Sequence, residues 1–138
     1  MRWTVARSLL LVSLAVQPAC SSRQTEKAAT SVAESWLALV DQEKYVASWD
    51  AAAKPMQKVV DRGRWTVVIK ALRLPLGKLV TRHFRSAEYK TSLAGAPPGK
   101  YVVVEFESSF QNKADLTEVV IPVLEADGSW RVSSYLVR

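Results

Sequence analysis

The spacing of apolar residues changes once along this chain of 138 residues, and the change constrains the fold more than any other feature. Between about Thr25 and Leu74, apolar side chains recur every third or fourth position, as in amphipathic helices. After Lys78 they recur every second position, as in half-buried strands. This order predicts an α+β domain in which N-terminal helices pack on a curved, four-stranded antiparallel sheet.

Three helical segments are predicted before the change of spacing. The first begins near Thr25, and the second is a short segment near 44–53 that is extended through Val60 after Pro55, a residue suited to a first helical turn. Asp61 is predicted to cap the third, whose end is set by Pro75 and Gly77. We expect the third helix to bury Trp65, Val68, Ile69 and Leu72.

The first two strands are predicted at 79–93 and 101–110, joined by a loop rich in glycine and proline at 94–100. In the first strand the apolar parity of Val80 and Phe84 shifts by one residue at Ala87. A bulge near Arg85 to Ala87 would absorb this shift and keep later side chains on their face. The aromatic residues expected to face the core are Trp36, Trp49, Trp65, Trp130, Phe84, Phe106 and Phe110.

The last two strands, 116–124 and 130–137, are predicted to form a hairpin around Asp127-Gly128, a strong turn signal between apolar runs. Pro122 interrupts the first of them and cannot donate a hydrogen bond to a neighbouring strand. Two interpretations remain open: the strand lies at an edge of the sheet, or the proline faces outward at an irregularity.

Residues 1–22 have the pattern of a signal peptide, because Arg2 and Arg7 precede a short apolar run that is too short for a permanent membrane span. Cys20 follows Ala19 as in bacterial lipoprotein processing sites, although Gln17 stands where leucine is usual. Lipid attachment at Cys20, ordinary cleavage near 19–22 and an uncleaved leader all remain open. In this interpretation 23–27 form a short polar tether and 28–138 a single domain.

Composition restricts the chemistry that the chain can support. One cysteine and one histidine are too few for a structural zinc or iron–sulfur site, and no internal disulfide is possible. We therefore predict no metal and no cofactor. The formal net charge of +6 would suit nucleic acid, but an exported chain is separated from it, and we predict no nucleic-acid partner.

The positive charge is concentrated at 54–90, a segment that contains ten basic residues and only two acidic ones. Such a region can attract lipid headgroups, other anionic envelope components or an acidic envelope protein, although a solvated surface is the simpler interpretation. The candidate binding residues are Arg62, Arg64, Lys70, Arg73, Arg82 and Glu118. Glu118 is expected to reach Arg82 or Arg73, either as an ion pair at the rim of the fold or as part of an anion site.

No catalytic residue is predicted. His83 lies opposite in parity to Val80 and Phe84, and should face solvent or a rim. Asp50 suits a helix cap or a solvated position, and the pair Glu105 and Glu107 suits the outer face of a sheet. Ser108 and Ser109 lack the sequence context of a nucleophile.

Several motifs resemble the DUF4019 family, exported bacterial proteins of unknown function. They are SWLALVD at 35–41, ASWDAAA at 47–53, RLPLG at 73–77, SAEYKTSLAGAPPGKYVVVEFESSF at 86–110 and DGSWRVSSYLVR at 127–138, together with Trp65, Arg82 and Glu118. The resemblance implies a cystatin-like or nuclear-transport-factor-2-like (NTF2-like) fold and no assigned activity.

The leading hypothesis is a non-enzymatic module in the periplasm, or lipid-anchored at the outer membrane, of a Gram-negative bacterium. It would bind an anionic envelope component or an envelope protein through the basic 54–90 surface, and would contact the membrane itself only through the lipid anchor. The alternative is a small-molecule pocket or a weak enzyme in the concavity of the sheet, which requires an enclosed cavity with convergent polar groups. A purely structural accessory is a third class.

Overall fold

The structure, a computed structural model, describes residues 18–138. Within this described range, four helices precede four strands, and a 3-10 turn at Leu74–Leu76 joins the two halves. The helices are α1 (Pro18–Asp41), α2 (Tyr45–Asp50), α3 (Lys54–Val59) and α4 (Arg62–Arg73). The strands are β1 (Leu79–Lys90), β2 (Tyr101–Phe110), β3 (Lys113–Leu124) and β4 (Trp130–Val137).

The predictions for the N-terminal residues fall partly outside residues 18–138. The signal-peptide prediction falls mainly on residues 1–17, outside the described residues. Residues 23–27, expected to be a tether, lie within α1. The backbone of Cys20 belongs to the start of the same helix. Within 18–138, no helix has the length and apolar content needed to cross a bilayer.

The strands form one open antiparallel sheet in the order β1-β2-β3-β4, and the helices cover one of its faces. This confirms the predicted α+β arrangement. Because side chains alternate between the two faces of a strand, the helix-facing side of β2 carries Val102, Val104 and Phe106. They pack with α1 and α4 in a core that includes Ala29, Ala33, Trp36, Leu37, Val40, Trp65, Ile69, Val120 and Val132.

Strand β1 contains the predicted bulge and a second one that the sequence did not predict. Phe84 pairs with Phe106 and Ser86 with Glu105, so Arg85 is the extra residue. Leu79 pairs with Phe110 and Thr81 with Ser109, so Val80 is extra as well. Expecting Val80 to share the inward parity was therefore wrong.

Phe84 does share the helix-facing side with Phe106, and the two rings make an edge contact at 6.3 Å. It is nevertheless 55% exposed, and Val80 is 62% exposed. The expectation that Phe84 belongs to the core is corrected, because the helices cover the sheet only partly at β1. The other aromatic side chains of the predicted core are buried or half-buried: Trp36, Trp49, Trp65, Trp130, Phe106 and Phe110.

Pro122 lies in β3, which is flanked by strands on both sides. The edge interpretation is therefore wrong. The pairing shifts between Ile121 and Pro122, which leaves Ser133 of β4 as an extra residue, and the Ser133 hydroxyl donates to the Ile121 carbonyl at 2.8 Å. The predicted irregularity is confirmed, but Pro122 is buried, not outward-facing.

Helix α4 begins as predicted and buries a different set of side chains. The Asp61 carboxylate accepts a hydrogen bond from the Arg64 backbone N–H at 2.9 Å, which confirms the cap. Trp65 and Ile69 are buried as expected, whereas Val68 and Leu72 are exposed. Arg73 takes the next buried position, one turn after Ile69.

Candidate functional site

Three of the six predicted binding residues lie at the surface of α4. Arg62, Arg64 and Lys70 are all exposed. Arg62 pairs with Asp50 at 2.6 Å, and its guanidinium lies 5.3 Å from the Trp49 ring. Within residues 18–138, Arg64 and Lys70 form no ion pair. They are the two cations of α4 that are free to meet an external anion.

The acid-free stretch around α4 gives this surface its charge. From Arg62 through Ala87 the chain contains no aspartate or glutamate. Lys78 and Arg85 in the same stretch are exposed as well. The surface is therefore basic even after the Arg62–Asp50 pair is set aside.

The other three predicted residues form a buried ion cluster, which we define as Asp41, Arg73, Arg82 and Glu118. The side chains of Arg73 and Glu118 are 6% and 0% exposed. Arg73 and Arg82 were expected to contribute to the basic surface, and they do not, because each is neutralised by carboxylates inside the fold. Glu118 was expected at the rim, and its complete burial corrects that placement.

Glu118 is positioned by β3, on the helix-facing side opposite Phe106. Its Oε1 accepts from Arg82 Nε at 2.7 Å and from the Ser108 hydroxyl at 2.6 Å. Its Oε2 accepts from the Tyr135 hydroxyl at 2.5 Å and lies 3.9 Å from Arg73 Nη1. The predicted pairing of Glu118 with Arg82 is confirmed. The negative charge of the buried carboxylate is balanced by the two guanidinium groups.

Asp41, the last residue of α1, holds both arginines from the other side. Its Oδ1 accepts from Arg73 Nη2 at 2.7 Å, and its Oδ2 accepts from Arg82 Nη1 at 2.6 Å. Asp41 thereby ties the C-terminal ends of α1 and α4 to β1. Two carboxylates and two guanidiniums leave the cluster with no formal excess charge.

The contacts in the cluster shift the pKa values of Asp41, Arg82 and the neighbouring Tyr135. Burial disfavours a charged Asp41, but hydrogen bonds from Arg82 and Arg73 outweigh it and hold the pKa of this carboxyl below its ordinary 3.8. Burial tends to lower the pKa of Arg82, and its contacts with Asp41 and Glu118 raise it instead. Burial and the Glu118 charge raise the pKa of the Tyr135 phenol far above its ordinary value. Asp41 and the two guanidinium groups therefore stay charged near neutral pH.

Two features next to the cluster are relevant to binding. Arg73 Nε is buried without a hydrogen-bond partner, and the guanidinium lies 4.7 Å from the Phe110 ring. An open cleft of about 540 Å³ is lined by Asp41, Arg73 and Lys78, together with Val40, Gln42, Glu43, Tyr45, Leu74, Gly77, Leu79 and Gln111. The cleft carries both signs of charge, so it does not favour a simple anion.

The remaining candidates stay apart from the cluster. His83 pairs with Glu107 across β1 and β2, and both are exposed, as predicted. Glu105 pairs with Arg138 at 2.8 Å. Asp50 is on the surface in its pair with Arg62. Ser108 donates to Glu118, and the Ser109 hydroxyl accepts from the Asp115 backbone N–H at 3.2 Å.

Sequence reasoning missed one member of the cluster, Asp41, and two residues that donate hydrogen bonds to Glu118, Ser108 and Tyr135. No local spacing joins them, because their partners lie between 10 and 41 positions away. The parity of β2 could have indicated Ser108, since it puts a serine on the face of Phe106. Within residues 18–138, no three potential metal ligands come together.

Comparison with known families adds one match. A family model described as "Protein of unknown function (DUF4019)" matches residues 32–135. That range contains all four members of the ion cluster and the whole of α4. No match was found among curated proteins or among solved structures.

Proposed function

The chain belongs to the DUF4019 family of proteins of unknown function, and we propose that it is a non-enzymatic module that binds an anionic partner through α4. One observation carries the proposal: Arg64 and Lys70 are exposed, unpaired within the described residues, and part of an acid-free stretch. Arg73 and Arg82 are neutralised by carboxylates inside the fold and do not add to this surface.

The proposal includes a location. We infer an exported protein of the bacterial cell envelope, periplasmic or held at the outer membrane by a lipid on Cys20, from the leader-like pattern of residues 1–22. The partner is then an anionic component of the envelope or an acidic envelope protein. The order of helices and strands is compatible with a cystatin-like or NTF2-like fold, which we also propose.

Charge reversal tests the proposal. The double variant Arg64→Glu and Lys70→Glu is titrated with long-chain inorganic polyphosphate, a soluble polyanion. Its control is Lys27→Glu with Lys100→Glu, which changes the net charge equally at exposed positions of α1 and of the β1–β2 loop. We expect the first variant to lose affinity by roughly tenfold or more and the control to lose little. Equal affinities for the two variants would refute a specific role for α4.

A small-molecule site is the second candidate. The sheet face beneath the helices is filled by side chains such as Trp36, Leu37 and Phe106, so the concavity itself offers little room. The open cleft beside Asp41 and Arg73 is the observation that favours this candidate. It predicts that a fragment screen followed by NMR shifts amides around Asp41 and Gly77 first; hits confined to other regions would exclude this cleft.

A further inference from the structure

The exposed side of α4 has an apolar pattern of its own. At 100° per residue, Arg64, Val67, Ala71 and Leu74 lie on one side of the helix, opposite the buried Trp65 and Ile69; Leu74 is in the 3-10 turn directly after α4. We call these four residues the outer stripe. Lys70 and Val68 flank it on either side.

The aliphatic members of the outer stripe are well exposed to solvent. Val67 is 69% exposed and Leu74 is 67% exposed. Val68, beside the stripe, is 50% exposed. Single exposed apolar residues are ordinary, but a row of them along a helix, accompanied by cations and no acids, fits a partner that is both anionic and apolar.

We propose that the outer stripe docks on the surface of an anionic lipid bilayer, with Val67 and Leu74 entering the boundary between headgroups and acyl chains and Arg64 and Lys70 contacting phosphates. This inference rests on the proposed function and names its partner. It also goes beyond the sequence-based expectation that a lipid anchor is the only membrane contact. An interfacial helix combines these two properties, an apolar line and flanking basic side chains.

The chemistry of the outer stripe favours a lipid surface over a protein. Protein interfaces are anchored above all by large aromatic side chains that fill pockets of the partner. The outer stripe has no aromatic residue, and the outward side of a helix is convex. Short aliphatic side chains next to cations match a bilayer, which offers phosphate charge and a shallow apolar layer without a shaped pocket.

Vesicle binding by the full chain tests the inference. The probes are vesicles of phosphatidylcholine alone and vesicles of phosphatidylcholine mixed with phosphatidylglycerol. All variants share the same N-terminus, so its contribution to vesicle binding cancels in the comparison. The apolar variant is Val67→Gln with Leu74→Gln. Its matched control is Val46→Gln with Leu136→Gln, an exposed valine and leucine on α2 and β4.

We expect the wild type to prefer the mixed vesicles. Replacing Arg64 and Lys70 by glutamine should weaken that binding about fivefold for each charge removed. The apolar variant should bind the mixed vesicles roughly tenfold or more weakly while its polyphosphate affinity is unchanged. The control should match the wild type with both probes, and thermal unfolding should show that every variant is folded.

Two outcomes would overturn the inference. If the apolar variant binds mixed vesicles as well as the wild type does, or falls no further than its control, the outer stripe does not enter a bilayer. The proposed function survives that result as long as Arg64→Glu with Lys70→Glu loses polyphosphate affinity. The proposed function is refuted if the charge reversal at these two residues leaves the affinity for polyphosphate unchanged.

Discussion

Glu118 and Asp41 both accept hydrogen bonds from the guanidinium of Arg82. Arg82 donates through Nε to Glu118 at 2.7 Å and through Nη1 to Asp41 at 2.6 Å. One carboxylate comes from the third strand and the other from the end of the first helix. A single β1 side chain therefore fastens the helical layer to the centre of the sheet.

Glu118→Gln should be among the most destabilising conservative substitutions in the described part of the chain. It removes the buried negative charge that faces Arg82 and Arg73, and breaking a buried ion pair typically costs about 3 kcal/mol or more. Urea denaturation of the variant measures this loss. Glu107→Gln, at an exposed position of β2, should change the free energy of unfolding by less than about 0.5 kcal/mol. Similar losses for the two would show that the cluster does not stabilise the fold.

Acid should weaken the fold partly through Asp41. Because the pKa of Asp41 is lower in the folded chain than its ordinary 3.8, the carboxylate contributes stability above that pH. The contribution is lost as the pH falls through the folded-state pKa. Asp41→Asn should therefore be less stable at pH 7 and show a shallower decline below pH 3.8 in urea titrations. An unchanged, wild-type decline in Asp41→Asn would contradict the assignment.

Ser48→Ala should loosen the packing of two tryptophans. The buried Ser48 hydroxyl accepts from Trp65 Nε1 at 3.0 Å, while the Ser48 carbonyl accepts from Trp36 Nε1 at 2.8 Å. Removing the hydroxyl leaves the Trp65 N–H unsatisfied, at a cost of about 1–3 kcal/mol. Denaturation measures the stability, and near-UV circular dichroism reports the indole environment. Ser35→Ala, at an exposed site of α1, is the control and should be nearly neutral.

Gly77→Ala should destabilise the chain more than Gly128→Ala does. Both glycines have positive φ, +74° and +83°, which alanine rarely adopts. Gly77 also has ψ of −162°, and this combination of angles is almost exclusive to glycine, so its backbone penalises alanine strongly. At Gly77 the new Cβ would also lie 3.0 Å from the Gln111 Cβ, whereas at Gly128 it meets nothing within 4 Å. The difference between their unfolding free energies measures the backbone penalty at Gly77 and the close approach to Gln111 together. Equal values would contradict both.

The regular elements could be predicted because periodicity is a local property. β4 begins and ends at the predicted residues, and the parity shift from Phe84 to Ala87 located the bulge at Arg85. The sequence did not indicate the Val80 bulge. Val80 and Phe84 are both apolar and an even number of residues apart, so the alternation looks regular across the irregularity between Leu79 and Thr81.

The ion cluster could be predicted only in part. Charged residues are expected at the surface, and Arg73 and Arg82 are buried only because Asp41 and Glu118 arrive from distant segments. The pairing of Glu118 was foreseen, but its depth was not. On α4, periodicity alone could not show whether Val68 or Arg73 is buried, because the burial of Arg73 depends on the positions of Asp41 and Glu118.

The bulge at Arg85 also determines where the chain tolerates a change of length. Deleting Arg85 would let Ser86 follow Phe84 directly, and Ala87 and Tyr89 would still point toward α1. Deleting Glu88 instead would turn Tyr89 outward and present Lys90 to the apolar layer. Gain or loss of single residues in this strand should therefore be confined to its two bulge positions, Arg85 and Val80.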